Sequence, residues 1–102
     1  MEIIWTDEAE EELLTVTRYY WDCAGERVAD KIFRTITDMV ARLSFFPFMG
    51  QRVAGYDGIY RSIVAHPHYK VIYRVEDDKV IVISVWDCRQ DPSGLDNELQ
   101  EE

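Results

Sequence analysis

Cysteine is scarce in this sequence, and its placement argues against a zinc site. Cys23 and Cys88 lie far apart and form no Cys-x-x-Cys pair. Neither is joined by a cluster of histidines at metal-ligand spacing, because the only two histidines are His66 and His68. We therefore predict no metal and no cofactor, and we expect both thiols to be free and at least half-buried.

Long hydrophobic runs are also missing. No apolar stretch reaches the roughly 18 residues that a membrane span requires, although 47% of the 102 residues are hydrophobic. The amino terminus is acidic, so a signal peptide is not expected either. A chain of this length has room for one domain with a sizeable core. We expect a single compact domain with no membrane partner and a cytoplasmic location.

Basic side chains are absent from both ends of the chain. The net charge is −9, from 20 acidic and 11 basic residues, and no Lys or Arg lies before residue 13 or after residue 95. Six acids precede residue 13 and four follow residue 95, so the middle of the chain is nearly neutral. The net charge argues against a nucleic-acid partner. This distribution weakens that argument, because a basic face on a sheet is still possible.

Three runs rich in β-branched and aromatic residues predict consecutive strands, at residues 60–65, 69–75 and 79–86. Pro67 interrupts strand pairing between the first two runs, and the acidic residues 76–78 suit a tight turn before the third. The runs therefore predict two antiparallel hairpins. Because the third run is apolar on both faces, we expect a central strand under a helix layer.

The first half of the chain predicts a short strand and a helical hairpin. Residues 2–5 form the strand, Thr6 is a candidate N-cap, and a helix should run from Asp7 to just before Gly25. Gly25 suits a left-handed cap between two helices. The second helix begins near Glu26 and follows an apolar stripe, made by Val28, Ile32, Ile36, Met39, Val40 and Leu43.

The segment after the second helix is rich in aromatic residues. Pro47 disfavours helical geometry at the residue before it and ends the helix. Because Phe45, Phe46 and Phe48 are costly to leave in water, we expect them to close one end of the core. Residues 51–59 are predicted to form a loop that leads into the first hairpin.

The predicted order is β-α-α-β-β-β, which defines an α+β fold with a helical hairpin packed on a small, mostly antiparallel sheet. Residues 1–92 form the single domain, and residues 93–102 form an acidic, flexible tail. Several motifs follow one another in this order, namely Ile4-Trp5-Thr6-x-x-Ala9, Leu43-x-x-x-Pro47-x-x-Gly50, Tyr60-Arg61, Tyr69-Lys70-Val71-Ile72-Tyr73-Arg74-Val75 and Arg89-x-Asp91-Pro92. Together they resemble the RelE/ParE superfamily of bacterial toxins.

The resemblance implies a toxin that a cognate antitoxin wraps around and neutralises. One branch of the superfamily cleaves mRNA on the ribosome, and the other inhibits DNA gyrase without being a nuclease. In the nuclease branch, basic residues on the hairpin strands stabilise the reacting phosphate. Arg61, Lys70 and Arg89 fall on the matching strands, and Asp87 would then serve as the base.

Two features depart from the nuclease pattern. Ile63 stands where the nucleases often carry a second Lys, and no His or Tyr follows Trp86. An anionic Asp87 beside a phosphate is unfavourable unless it acts as a base or orients Arg89. We therefore expect a ParE-like toxin that binds a protein target such as DNA gyrase, with enzymatic activity left open. The alternatives are a RelE-like ribosome-dependent mRNA endoribonuclease and a non-toxic binding module on the same fold.

The candidates for binding the target or a nucleic acid also have simpler roles, and the sequence leaves both open. The arginines can form salt bridges with Asp87 or Asp91, the strand cations can face solvent, and the aromatic residues can belong to the core. His66 and His68 are either turn residues or a proton-transfer pair. These binding candidates are Arg61, Lys70, Arg74, Trp86 and Arg89.

The acidic start of the first helix suggests how a partner would bind. An antitoxin is expected to dock through apolar contacts on the helical hairpin and a sheet edge. Its basic groups would meet the carboxylates of the first helical turn.

Overall fold

The computed structural model describes residues 1–65 and 68–88. Within these ranges the strands form a single sheet in the order β1-β5-β4-β3-β2, with β1 parallel to β5 and the other neighbours antiparallel. The predicted α+β fold is therefore confirmed, with one addition, because β2 lies in the predicted loop 51–59. The elements are β1 (Glu2–Trp5), α1 (Asp7–Ala24), α2 (Glu26–Arg42), β2 (Gln51–Arg52), β3 (Arg61–Ala65), β4 (Tyr69–Glu76) and β5 (Lys79–Asp87).

Helix α1 begins where the sequence predicts. The hydroxyl of Thr6 accepts a hydrogen bond from the backbone N–H of Ala9 at 3.1 Å, which satisfies one of the free donors of the first turn. The backbone N–H of Thr6 donates to the carbonyl of Val82 at 3.1 Å. Strand β1 therefore passes directly into α1 beside β5.

The turn between the helices differs in detail from the prediction. Gly25 has φ 91° and ψ 171°, so its φ is positive but its ψ is extended instead of left-handed helical. This region of backbone space is essentially reserved for glycine. The N–H of Gly25 closes α1 on the carbonyl of Trp21 at 3.1 Å, and its own carbonyl accepts from the N–H of Ala29 at 3.1 Å.

The main core lies between the helical hairpin and one face of the sheet. The packing follows from the spacing of apolar residues in the sequence. The helices contribute residues three and four apart, and the strands contribute alternate residues. The members with no more than 3% exposure include Ala9, Ile36, Val40, Leu43, Val71, Tyr73, Val80, Val82 and Val85.

The opposite face of the sheet is partly covered by a loop. Tyr60, Ile72 and Ile83 form a second buried cluster, and Val53 and Tyr56 pack on it. Strand β5 is therefore covered on both faces as predicted, although the second cover is the 53–60 loop. Strand β5 lies between β1 and β4 and is therefore an interior strand, as predicted, while β4 occupies the middle position of the five.

The prediction that aromatic residues close one end of the core is wrong. Phe45, Phe46, Phe48 and Met49, which we call the aromatic segment, are 81%, 66%, 60% and 47% exposed. Leu43 and Tyr73, both fully buried, close the core at this position. The aromatic rings are left on the outside because the core has already been filled by these two side chains.

The cysteine prediction is also wrong in part, because both Cys23 and Cys88 are exposed free thiols. Among the described residues there is no group of three or more His, Cys, Asp and Glu side chains that could hold a metal ion. The helices described here are also too short or too polar to cross a membrane.

Candidate functional site

A row of three side chains crosses the open part of the sheet face that points away from the helices. Lys70 pairs with Val64 of β3 on one side and with Trp86 of β5 on the other. The strand neighbours of these residues belong to the main core, so alternation puts the row on the outer face. Val64 is 58% exposed, and Lys70 and Trp86 are half-buried. The row is a cation beside an aromatic ring and an aliphatic group.

Arg61 lies on the other face of the sheet and binds the backbone of the aromatic segment. Its guanidinium donates to the carbonyls of Phe48 at 3.2 Å and Gly50 at 2.9 Å. The same group lies 5.1 Å from the centre of the Phe48 ring, within the range of a cation–π contact. Arg61 therefore has a structural role that explains its position.

Asp87 lies at the far end of β5, in a small groove beside α1. The groove has a volume of about 130 Å³ and is lined by Glu12, Thr15, Val16, Val85 and Asp87. In the neighbouring part of the strand edge, the Glu12 carboxylate accepts from the N–H of Val85 at 3.2 Å and from the hydroxyl of buried Ser84 at 3.4 Å. Strand β1 pairs only with the first part of β5, and Glu12 supplies a hydrogen-bond acceptor for the backbone N–H of Val85 beyond it.

The catalytic candidates within the described residues do not converge. Arg61 pairs with Tyr73 and Asp87 pairs with Tyr69, so the two lie four residues apart along β4, about 13 Å in the strand direction. Lys70 faces the opposite side of the sheet from both. No two of these three candidates can therefore hold one phosphate between them. Arg89 lies outside the described residues.

The remaining sequence candidates have local partners. Arg74 forms a salt bridge with Glu76 at 3.0 Å on the exposed face of β4. The Nε2 atom of His68 lies 3.3 Å from the hydroxyl of Tyr20, and its ring lies 4.6 Å from that of Tyr69. These contacts tie the end of α1 to the start of β4. His66, like the salt-bridge candidate Asp91, lies outside the described residues.

Sequence reasoning did not find the part played by Tyr73, which is buried. Its hydroxyl donates to the carbonyl of Pro47 at 2.8 Å and accepts from the N–H of Gly50 at 3.0 Å. Burial raises the pKa of Tyr73 above its usual 10.0, while the Gly50 N–H and the charge of Arg61 oppose the rise. Tyr73 therefore stays neutral at physiological pH, and its hydroxyl donates a hydrogen bond to the Pro47 carbonyl.

Replacing Tyr73→Phe is expected to lower the free energy of unfolding by about 1–2 kcal/mol at neutral pH, because the buried N–H of Gly50 loses its acceptor. The pKa of Tyr73 is raised in the folded state, so its contribution is complete below the unfolded pKa near 10 and is lost as pH rises through the folded pKa. Urea unfolding between about pH 7 and pH 11 measures both effects.

The control for this experiment is Tyr19→Phe, since Tyr19 is 58% exposed. The control should unfold like the wild type at every pH. Replacing Tyr73→Phe should also make the alkaline loss of stability less steep. An unchanged alkaline slope in the Tyr73 variant would contradict the role given to its hydroxyl.

An apolar stripe is exposed on α1. Leu14 is 48% exposed and Trp21 is 53% exposed, and they lie two turns apart on one side of the helix. Arg18 lies between them, and we call these three residues the α1 stripe. The acidic residues Glu10 and Glu11 precede Leu14 by one turn. In the described part of the chain, the α1 stripe and the aromatic segment therefore both expose large apolar side chains on this small α+β fold.

Comparison with known proteins places this fold in a family. The sequence model of a protein family, described as the ParE toxin of type II toxin–antitoxin system, parDE, matches residues 3–92 of this chain. No curated protein sequence is significantly similar to the chain. The chain belongs to the ParE toxin family of type II toxin–antitoxin systems. The resemblance to the RelE/ParE superfamily is confirmed by this match.

Solved structures share the fold at low sequence identity. One is a chain of the chromosomal ParDE system from P. aeruginosa, with a TM-score of 0.75 and 18% identity over 85% of this chain and 95% of that chain. The YoeB/ParE toxin from Agrobacterium tumefaciens matches with a TM-score of 0.62 and 18% identity, over 85% and 98%. A chain of the heterotetrameric YoeB–YefM toxin–antitoxin complex from Staphylococcus aureus has a TM-score of 0.59 and 13% identity, over 83% and 93%.

Proposed function

We propose that the protein arrests growth by binding a protein target such as DNA gyrase, and that it does not cleave RNA. The observation that carries this proposal is the separation of Arg61, Lys70 and Asp87. Phosphoryl transfer needs charged groups fixed around one reacting phosphate. Here two candidates lie at distant points of one sheet face, the third lies on the other face, and Arg61 is engaged by backbone carbonyls.

We propose also that a cognate antitoxin neutralises the protein by covering the helical hairpin. The S. aureus relative is a toxin–antitoxin complex, and the ParE family is defined by such pairs. The α1 stripe offers apolar side chains for an amphipathic segment, and Asp7, Glu8 and Glu10 in the first turn of α1 offer carboxylates. A segment with apolar and basic residues fits this surface.

One observation favours the alternative of an mRNA endoribonuclease. Lys70 lies beside Trp86 on an open sheet face, and a cation next to an aromatic ring suits the backbone and a base of single-stranded RNA. The endoribonuclease hypothesis requires Lys70 for toxicity. The proposal of a protein-binding toxin does not.

The deciding experiment induces the chain without its neighbouring gene and compares Lys70→Ala with the wild type. We expect both to arrest growth at the same level of expression, and we expect cellular RNA to stay intact. If the chain were a nuclease, loss of a cation at the reacting phosphate would lower activity by about 10²–10³-fold. Supercoiling by purified DNA gyrase, measured with and without the protein, tests the target directly.

The matched control is Lys31→Ala, because Lys31 is exposed on α2 and far from the sheet face. Arg61→Ala is a poor test, since it would release the backbone at Phe48 and Gly50. Arg89→Ala should be tested beside Lys70→Ala. Discrete cuts in translated messages that disappear in the Lys70 or Arg89 variant, but persist in the Lys31 variant, would refute the proposal.

A further inference from the structure

The aromatic segment exposes four large apolar side chains within five consecutive residues. With exposures from 47% to 81%, its four side chains leave on the order of 500 Å² of apolar surface in water. Patches larger than a few hundred Å² mark interaction sites in soluble proteins. The surface therefore needs an occupant.

The aromatic segment is held in place from the sheet side. Tyr73 binds the backbone at Pro47 and Gly50, and Arg61 binds it at Phe48 and Gly50, through four hydrogen bonds of 2.8–3.2 Å. At the other end, the N-terminal ammonium of Met1 donates to the carbonyl of Ser44 at 2.9 Å, and the Ser44 hydroxyl donates to the carbonyl of Met1 at 2.7 Å. A backbone fixed in this way loses little conformational entropy on binding.

The charges in contact with this surface define the chemistry of its occupant. The ionised groups that the described structure bonds to residues 44–50 are cations, namely the Arg61 guanidinium and the N-terminal ammonium. Exposed Arg42, the last residue of α2, lies three positions before Phe45, and its guanidinium donates to the sulfur of Met39 at 3.7 Å. In a protein of net charge −9, this local excess of cations favours apolar side chains flanked by Asp or Glu.

The same charges argue against a symmetric dimer. A two-fold contact would place the patch of one copy on the identical patch of another. Arg61 and the N-terminal ammonium of one copy would then approach the same two cations of its partner.

We propose that the aromatic segment binds the protein target of the toxin, through an apolar target segment flanked by carboxylates. This inference rests on the proposed function, in which the antitoxin occupies the α1 stripe. Helix α2 separates the two surfaces, since the aromatic segment follows its last turn and the turn at Gly25 precedes its first. Its 17 residues span about 25 Å. The stripe carries Arg18 and has Glu10 and Glu11 one turn before it, whereas the ionised groups bonded to the aromatic segment are cations, so the two surfaces suit different partners.

The test compares two double variants after induction without the neighbouring gene. Phe45→Ser with Phe46→Ser removes the two most exposed rings and leaves Phe48, on which Arg61 lies. Leu14→Ser with Trp21→Ser changes the α1 stripe. Growth arrest at matched expression reports target binding, and capture by the tagged product of the neighbouring gene reports antitoxin binding. Circular dichroism and thermal unfolding show that each variant is folded.

We expect the Phe45/Phe46 variant to need at least tenfold more expression for the same growth arrest, with antitoxin capture unchanged. The Leu14/Trp21 variant should stay toxic and escape the antitoxin. Arg42→Glu should weaken toxicity several-fold, whereas Arg27→Glu, an exposed arginine at the other end of α2, should not.

Each other outcome counts against the inference. Full toxicity of the Phe45/Phe46 variant, or its loss of antitoxin capture, would overturn it while leaving the proposed function intact. A wild-type dimer in sedimentation that the Phe45/Phe46 variant dissociates would assign the surface to a second copy, and would overturn it as well. Failure of the wild type to arrest growth would remove the proposed function, and this inference with it.

Discussion

Replacing Gly50→Ala is expected to lower the free energy of unfolding by about 2–3 kcal/mol, because an added Cβ has no space. It would lie 2.6 Å from the hydroxyl oxygen of Tyr73, 2.8 Å from the backbone oxygen of Ser62 and 2.9 Å from Cε1 of Tyr73. One of these neighbours is sheet backbone and the others belong to a buried ring, so none can move cheaply. The melting temperature should fall by roughly 8–20 °C.

The matched control is Gly55→Ala, which makes the same chemical change in an exposed turn. A Cβ at Gly55 meets nothing within 4 Å, but the residue has φ +91°, so the change tests backbone strain without a clash. We expect a loss of about 1 kcal/mol there. Thermal and urea unfolding of the two variants separate the effects. Equal losses would show that the close approach of Gly50 to Tyr73 has no energetic importance.

Local signals in the sequence predicted most of the fold. Thr6 followed by acidic residues marked the start of α1, and the acidic turn at 76–78 marked the hairpin between β4 and β5. Both depend on residues that are neighbours in the chain, and both are confirmed. Strand β2 was missed because its two residues show no period of their own, and they are ordered by pairing with β3.

The faces of the strands were harder to predict than the strands. Alternation already put Arg61 on the side of Ile63 and Ala65, and Lys70 on the side opposite Val71 and Tyr73. Alternation does not say which side the helices cover, or which residues of β3 and β4 pair. The pairing of Arg61 with Tyr73 gives the register, and the packing of Ile63 and Val71 with helix residues in the main core shows which side the helices cover. The candidates therefore belonged to the right strands but could not be assembled into a site from the sequence.

The Leu43-x-x-x-Pro47-x-x-Gly50 motif has a physical explanation that depends on residues distant in sequence. Leu43 fills the core, the Pro47 carbonyl accepts a hydrogen bond from the hydroxyl of Tyr73, and Gly50 leaves space for the same tyrosine. Hydrophobicity alone predicted burial for the aromatic residues between these positions. It failed because core volume, and not hydrophobicity, decides which apolar residues are left outside.

Replacing Leu43→Ala is expected to lower the free energy of unfolding by about 3 kcal/mol, while Phe45→Ala should change it by no more than about 0.5 kcal/mol. The two residues stand two positions apart at the end of α2. Leu43 is 0% exposed and leaves a cavity when truncated, whereas Phe45 is 81% exposed and loses few contacts. A protein of this size should lose roughly 12–20 °C of melting temperature in the Leu43 variant.

This pair of variants distinguishes the two interpretations of the aromatic residues. If Phe45 closed the core, removal of its larger side chain would cost at least as much as removal of Leu43, about 3–5 kcal/mol. If it lies on the surface, its removal should leave stability unchanged and alter only binding. Thermal unfolding of both variants at one pH and salt concentration measures the difference. A large loss from Phe45→Ala would contradict its exposed position, and the docking role inferred for the aromatic segment would lose its structural basis.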